Sequence, residues 1–147
     1  MGSLNLPSAG AIYVDTQILI YTVQRHPKYL PLLAPLWSSL ASGAIHVVLS
    51  ELALMEVLVA PIRQANAALI TDYEVFVRLP GIELKAIDRA TLYEAARYRA
   101  STTRLKTPDA IHPATCSLAG CHMYLTNDRG LQNILSVPTV VLDDLIP

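Results

Sequence analysis

Ala11-Ile12-Tyr13-Val14-Asp15-Thr16 is the stretch on which the fold turns. Four apolar residues in succession read as a strand, Asp15 ends it, and Thr16 to about Gln24 continues with helical spacing. Working outward, about Lys28 to Ala41 is a helix stopped by Gly43, and Ile45 to Leu49 is a second apolar strand. Ser50 is a natural N-cap for a helix over about Glu51 to Ala60. Another helix covers about Arg63 to Arg78 before Pro80-Gly81 turns the chain into a strand over Ile82 to Ala86. A helix follows from about Arg89 to Thr103, and Thr107-Pro108 opens the next by the logic of a cap followed by proline. Met123 to Thr126 is a fourth strand, Leu131 to Leu135 a short helix, and Thr139 to Leu142 a final strand. Strands alternating with helices predict an α/β domain with a mostly parallel central sheet.

The length of 147 residues predicts one domain, with 1–8 as a flexible N-terminal segment. Hydrophobic residues make up 52% of the chain, enough to hint that a partner or second copy covers some apolar surface. The net charge of −1 gives no global basic field for nucleic acid. Setting aside Asp15, Glu56, Asp109 and Asp128 leaves eight acidic against eleven basic residues, a surplus compatible with a phosphate-bearing substrate. Cys116 and Cys121 have no second pair to build a zinc site and read as apolar fillers of a reduced, cytoplasmic protein. The uncharged run from Tyr29 to Ser50 is broken by Pro31, Pro35, Gly43 and several serines, which argues against a membrane span, and no secretory signal is evident.

Those four acids are the chemical centre of the sequence. Asp15, Asp109 and Asp128 each follow an apolar strand or open a helix, so parallel strands would gather them along one sheet edge, where α/β sheets bind ligands. Each also has a structural explanation: an N-cap for Asp15, the helix dipole for Asp109, and turn chemistry for Asp128 in Asn127-Asp128-Arg129-Gly130. Glu56 lacks one. Its helical neighbours are Leu52, Ala53, Val59 and Ala60, so its carboxylate emerges through an apolar surface and needs a role or a partner across the fold. Crowded carboxylates repel one another unless a divalent cation neutralises them, which points to hydrolysis assisted by Mg²⁺ or Mn²⁺.

Tyr13-Val14-Asp15-Thr16, Ser50 to Val57 around Glu56, Thr107-Pro108-Asp109-Ala110-Ile111-His112 and Leu125-Thr126-Asn127-Asp128-Arg129 together resemble the PIN domain, in particular its VapC toxin branch. The resemblance implies a three-layer α/β/α sandwich and a metal-dependent endoribonuclease, usually dimeric and inhibited by a VapB-type antitoxin. It makes Asp15, Glu56, Asp109 and Asp128 the acidic quartet, with Asp15 and Asp109 as direct metal ligands. Thr16 and Thr126 would orient ligands or waters through their hydroxyls. An antitoxin would lay an apolar helix in a groove and insert an Arg among the acids.

Two residues depart from the family pattern. Gln17 stands where relatives often carry Asn or Ser, and Pro113 cannot donate to the carbonyl of Asp109, so a kink there would displace that carboxylate.

Among the basic residues, Lys106 and Arg129 are favoured for holding RNA because they sit near Asp109 and Asp128, although Arg129 could pair with a carboxylate instead. His112 reads as packing or hydrogen bonding rather than as a ligand. Tyr13, Tyr93 and Tyr98 are core residues by default, with base stacking as the alternative. Two rival functions are a phosphatase using Asp15 as a covalent nucleophile, weakened by the lack of an acid at position 17, and a noncatalytic RNA- or protein-binding module.

Overall fold

Strand β1 (Gly10–Val14) lies at the centre of the sheet, and the computed structural model, which describes residues 2–147, builds outward from it. In chain order the elements are β1, α1 (Thr16–Val23), α2 (Leu30–Ala41), β2 (Ile45–Ser50), α3 (Glu51–Arg63) and α4 (Ala67–Phe76). They continue with β3 (Ile82–Lys85), α5 (Arg89–Ser101), α6 (Thr107–Leu118), β4 (Met123–Thr126) and β5 (Thr139–Val141). The sheet order is β3-β2-β1-β4-β5 and every pairing is parallel. In register, Ile12 lies opposite Val47 on one side and Met123 on the other. The chain thus lays strands to one side of β1 and then returns to place β4 on the other. A topological switch point results between β1 and β4, where parallel sheets form their binding crevice.

Side chains alternating across β1 create two core layers. Ile12 and Val14 join Ile18, Leu19, Leu33, Leu36, Ala53, Val57 and Tyr73 beneath α1 to α4. Ala11 and Tyr13 join Ala95, Ala110, Ile111 and Ala114 beneath α5 and α6. The result is an α/β/α sandwich. Leu4 is also buried in the first layer, which ties down the irregular N-terminal segment. No helix among the described residues is long and apolar enough to cross a membrane.

Several boundaries differ from the expectations, each for a local reason. No helix forms over Leu131 to Leu135: a single 3-10 turn, Arg129–Leu131, is followed by Asn133 at φ 64, outside helical space. Leu131 is nevertheless buried, with Ile134 and Leu135 packed against the same layer, so their apolar spacing reports burial without a helix. Helix α3 runs through Pro61 to Arg63, whereas Ala65 at φ 52 and the Asn66 cap delay α4 to Ala67. Thr107 does not cap α6. Lys106 holds the cap position, and the Thr107 hydroxyl accepts from Arg99 Nη1 at 3.0 Å. Gly43 ends α2 as expected, at φ +78, where a side chain would be strained.

Tyr124 is fully buried and stacks on Tyr13 with ring centroids 5.0 Å apart, yet its hydroxyl has no partner among the described residues. An orphaned buried hydroxyl costs roughly 1–3 kcal/mol. Tyr124→Phe is therefore expected to stabilise the protein, seen as a higher urea midpoint at unchanged m value. A lower midpoint would show that this hydroxyl is bonded in solution.

Candidate functional site

Asp15, Glu56, Asp109 and Asp128 all line one cavity of about 580 Å³ at the switch point, together with Thr16, Gln17, His112, Asn127, Arg129 and Leu131. Four segments converge there. Asp15 follows β1, Glu56 lies mid-way along α3, Asp109 is in the first turn of α6, and Asp128 follows β4.

Asp15 is the most constrained of the four. Its Oδ1 accepts the backbone N–H groups of Gln17 at 3.1 Å and Ile18 at 3.3 Å, which makes it the N-cap of α1. Its Oδ2 accepts the Thr126 hydroxyl, and Thr126 Oγ1 in turn accepts the Asp128 N–H at 2.9 Å. Thr126 therefore couples the first acid to the last. Burial pushes the Asp15 carboxyl up from its ordinary value, outweighing the Thr126 hydrogen bond and the nearby His112.

Glu56 has the opposite character. The His112 hydrogen bond, aided by Thr16, outweighs burial and holds its carboxyl below the usual value. Its Oε1 accepts from the Thr16 hydroxyl at 2.7 Å and lies 2.9 Å from His112 Nε2. The partners across the fold that Glu56 demanded are thus a histidine and a threonine. His112 is reached in turn by Tyr13, whose hydroxyl sits 2.6 Å from Nδ1 and accepts the Ser50 N–H at 3.1 Å. Tyr13 is wholly buried, which removes it as a base-stacking residue.

Asp109 remains on the cavity wall although Pro113 withholds a backbone donor, because α6 continues unbroken to Leu118. Asp128 Oδ1 accepts the Gly130 N–H at 2.8 Å, the turn chemistry read from its neighbours. Gln17 Oε1 accepts from Tyr21 at 2.9 Å. Arg129 lines the cavity but forms an ion pair with Asp144. Lys106 is exposed at the cap of α6 and is not part of the cavity wall.

Among the described residues, no three His, Cys, Asp or Glu side chains come close enough to grip a metal by themselves. The donor set is nevertheless carboxylate oxygen from four directions around an open cavity. That chemistry suits a hard cation that keeps several of its own waters. The buried Asp15 carboxyl is also a group whose negative charge such a cation would favour.

No curated protein sequence matches the chain. Solved structures share its fold. VapBC-1 from nontypeable Haemophilus influenzae aligns with TM-score 0.71 at 14% identity, covering 90% of this chain and 98% of that one. DNA-bound VapBC from Salmonella typhimurium aligns with TM-score 0.69 at 19% identity over 90% and 98% of the two chains. A toxin-antitoxin complex from Klebsiella pneumoniae gives 0.61 at 20% over 88% and 96%. The PIN domain family model matches residues 12–135, most of the sequence, and the chain belongs to that family.

Proposed function

We propose that this chain is a divalent-cation-dependent endoribonuclease of the VapC type, paired with a VapB-type antitoxin. The observation that carries the reading is the convergence of Asp15, Glu56, Asp109 and Asp128 on one cavity at the switch point of a PIN domain. Asp15 and Asp109 would hold Mg²⁺ or Mn²⁺ directly, with Glu56 and Asp128 acting directly or through water. The bound cation would supply Lewis acidity toward a phosphate oxygen and acidify a water.

The chain's own residues prepare that site. Thr126 and two backbone N–H groups fix the rotamer of Asp15, and Thr16 does the same for Glu56. Arg129 and Lys106 are the proposed phosphate contacts, and Arg129 must exchange Asp144 for the substrate to serve in that way.

Two observations weigh against the rivals. Both Asp15 oxygens accept hydrogen bonds in a buried position, which suits a fixed ligand better than a covalent nucleophile. A noncatalytic module has no need of four carboxylates around one cavity. The antitoxin proposal is supported by the fold shared with VapBC complexes. Met55, Val59 and Ile62 are exposed along α3, an apolar stripe that favours a protein partner, whether antitoxin or a second copy in a homodimer.

The test is cleavage of a mixed RNA pool by antitoxin-free protein with Mg²⁺, Mn²⁺ or EDTA, alongside Asp109→Asn. Metal-dependent cutting in the wild type and its loss in the variant are expected. Equal cutting by both proteins, or cutting that persists in EDTA, would remove the proposal.

A further inference from the structure

The hydrogen-bond chain beneath Glu56 admits one assignment of its protons. The Ser50 backbone N–H can only donate, and it does so to the Tyr13 hydroxyl oxygen at 3.1 Å. Tyr13 is wholly buried, so its own proton needs an acceptor within the fold, and His112 Nδ1 lies 2.6 Å away. If Nδ1 carried a hydrogen instead, the tyrosine proton would be stranded in the core. Nδ1 therefore accepts, and the imidazole hydrogen sits on Nε2.

The other end of the ring gives the same answer independently. Nε2 faces Glu56 Oε1 at 2.9 Å, and a bare nitrogen there would set two lone pairs against each other. Thr16 Oγ1 donates its single proton to the same carboxylate oxygen at 2.7 Å, so toward Nε2, 3.3 Å away, it can only accept. Each group in the chain is satisfied only with hydrogen on Nε2. Both donors then land on Oε1, and the second oxygen of Glu56 is left to the cavity that the residue lines.

We propose that His112 is a positioning residue, fixed as its Nε2–H tautomer between Tyr13 and Glu56, which aims the free oxygen of Glu56 at the cation of the site. This rests on the nuclease reading for its consequence, but not for its geometry. A carboxylate on α3 has three rotatable bonds and no helical partner, so without His112 only the Thr16 hydroxyl would hold it. Tyr13 is wholly buried away from the cavity, and His112 holds Glu56 from the cavity wall. Their effect passes through Glu56, as partners behind metal ligands commonly act.

Two readouts test this in the full chain. In ¹⁵N NMR of the metal-free wild type at neutral pH, the His112 ring is expected to show hydrogen on Nε2 and a bare Nδ1. Tyr13→Phe, which keeps the ring and removes the hydroxyl, is expected to shift the Nδ1 resonance of the ring, which loses its hydrogen bond, while Glu56 still holds hydrogen on Nε2. In Mn²⁺ titrations followed by electron paramagnetic resonance, His112→Asn is expected to bind roughly 10- to 100-fold more weakly, the usual cost of losing such a partner. His112→Gln, whose amide nitrogen can take the place of Nε2, should recover most of that loss. Hydrogen on Nδ1 in the wild type, or equal Mn²⁺ affinity in the Asn and Gln variants, overturns the positioning role. A wild type that binds no Mn²⁺ overturns the nuclease reading instead, while a reversed tautomer condemns the relay even where Mn²⁺ binds.

Discussion

Asp15→Asn is expected to lower metal-dependent RNA cleavage by more than the roughly 100-fold that losing an outer partner costs at a metal site. It should also change how stability depends on pH and on divalent cations. The Asp15 carboxyl is buried, and burial raises its pKa in the folded state. As pH rises past about 3.9, the ordinary value for Asp, the unfolded chain releases this proton first. The native state therefore loses stability from about pH 4 up to the raised folded value, and above it the deficit stays constant. Asparagine carries no such charge, so the wild type should lose ground to the variant across that window. The gap remaining below pH 4 reports the altered bond to Thr126, since an amide nitrogen facing Thr126 Oγ1 can no longer accept its proton. The pH-dependent part reports the buried charge.

Adding Mn²⁺ at neutral pH should return that ground to the wild type. A ligand at 100 times its Kd stabilises the state that binds it by about 2.7 kcal/mol, and the variant should gain far less. Thermal denaturation across pH 4 to 8, with and without Mn²⁺, measures both effects. Parallel stability curves for the two proteins would show that the Asp15 charge is not penalised by burial. Equal Mn²⁺ stabilisation would show that the cation binds elsewhere.

Asp15 could be singled out from sequence because its signal is local: an apolar run stops on an acid and a helix begins. Asp128 carries the same kind of signal, and the alternation of strands and helices placed both at strand ends of one sheet. The partner of Glu56 had no local signal at all. His112 lies 56 positions away in sequence and Tyr13 a further span away at the start of the chain, so only the folded sheet brings α3, α6 and β1 into one hydrogen-bonded line. Tyr13 inside an apolar strand looks like any core aromatic, because a hydroxyl with a distant acceptor leaves no trace in spacing. That Arg129 could pair with a carboxylate was legible, but its partner Asp144 was hidden for the same reason. Where periodicity misled, at Leu131 to Leu135, the apolar residues do bury, but left-handed Asn133 breaks the backbone they were expected to share.

Leu125→Ala is expected to be the most destabilising simple truncation near the site, by about 2–5 kcal/mol, the range for emptying a well-packed leucine position. Leu125 is fully buried on β4, between β1 and β5, and its side chain lies in the layer beneath α1 to α4. Rigid strands on both sides limit how far the surroundings can close over the missing atoms, which favours the upper part of that range. For a chain of this size, a Tm fall on the order of 10 °C follows.

The site should suffer less than the stability. The Leu125 carbonyl accepts the Asp15 N–H at 3.3 Å, and that contact is made by backbone that the substitution leaves in place. Thr126, the next residue, points its hydroxyl at Asp15 from the same strand. Cleavage assayed well below the variant's lowered Tm should therefore keep a KM near that of the wild type. A large rise in KM at a temperature where the variant is fully folded would mean that packing beneath β4, and not only its backbone, sets the position of Asp15.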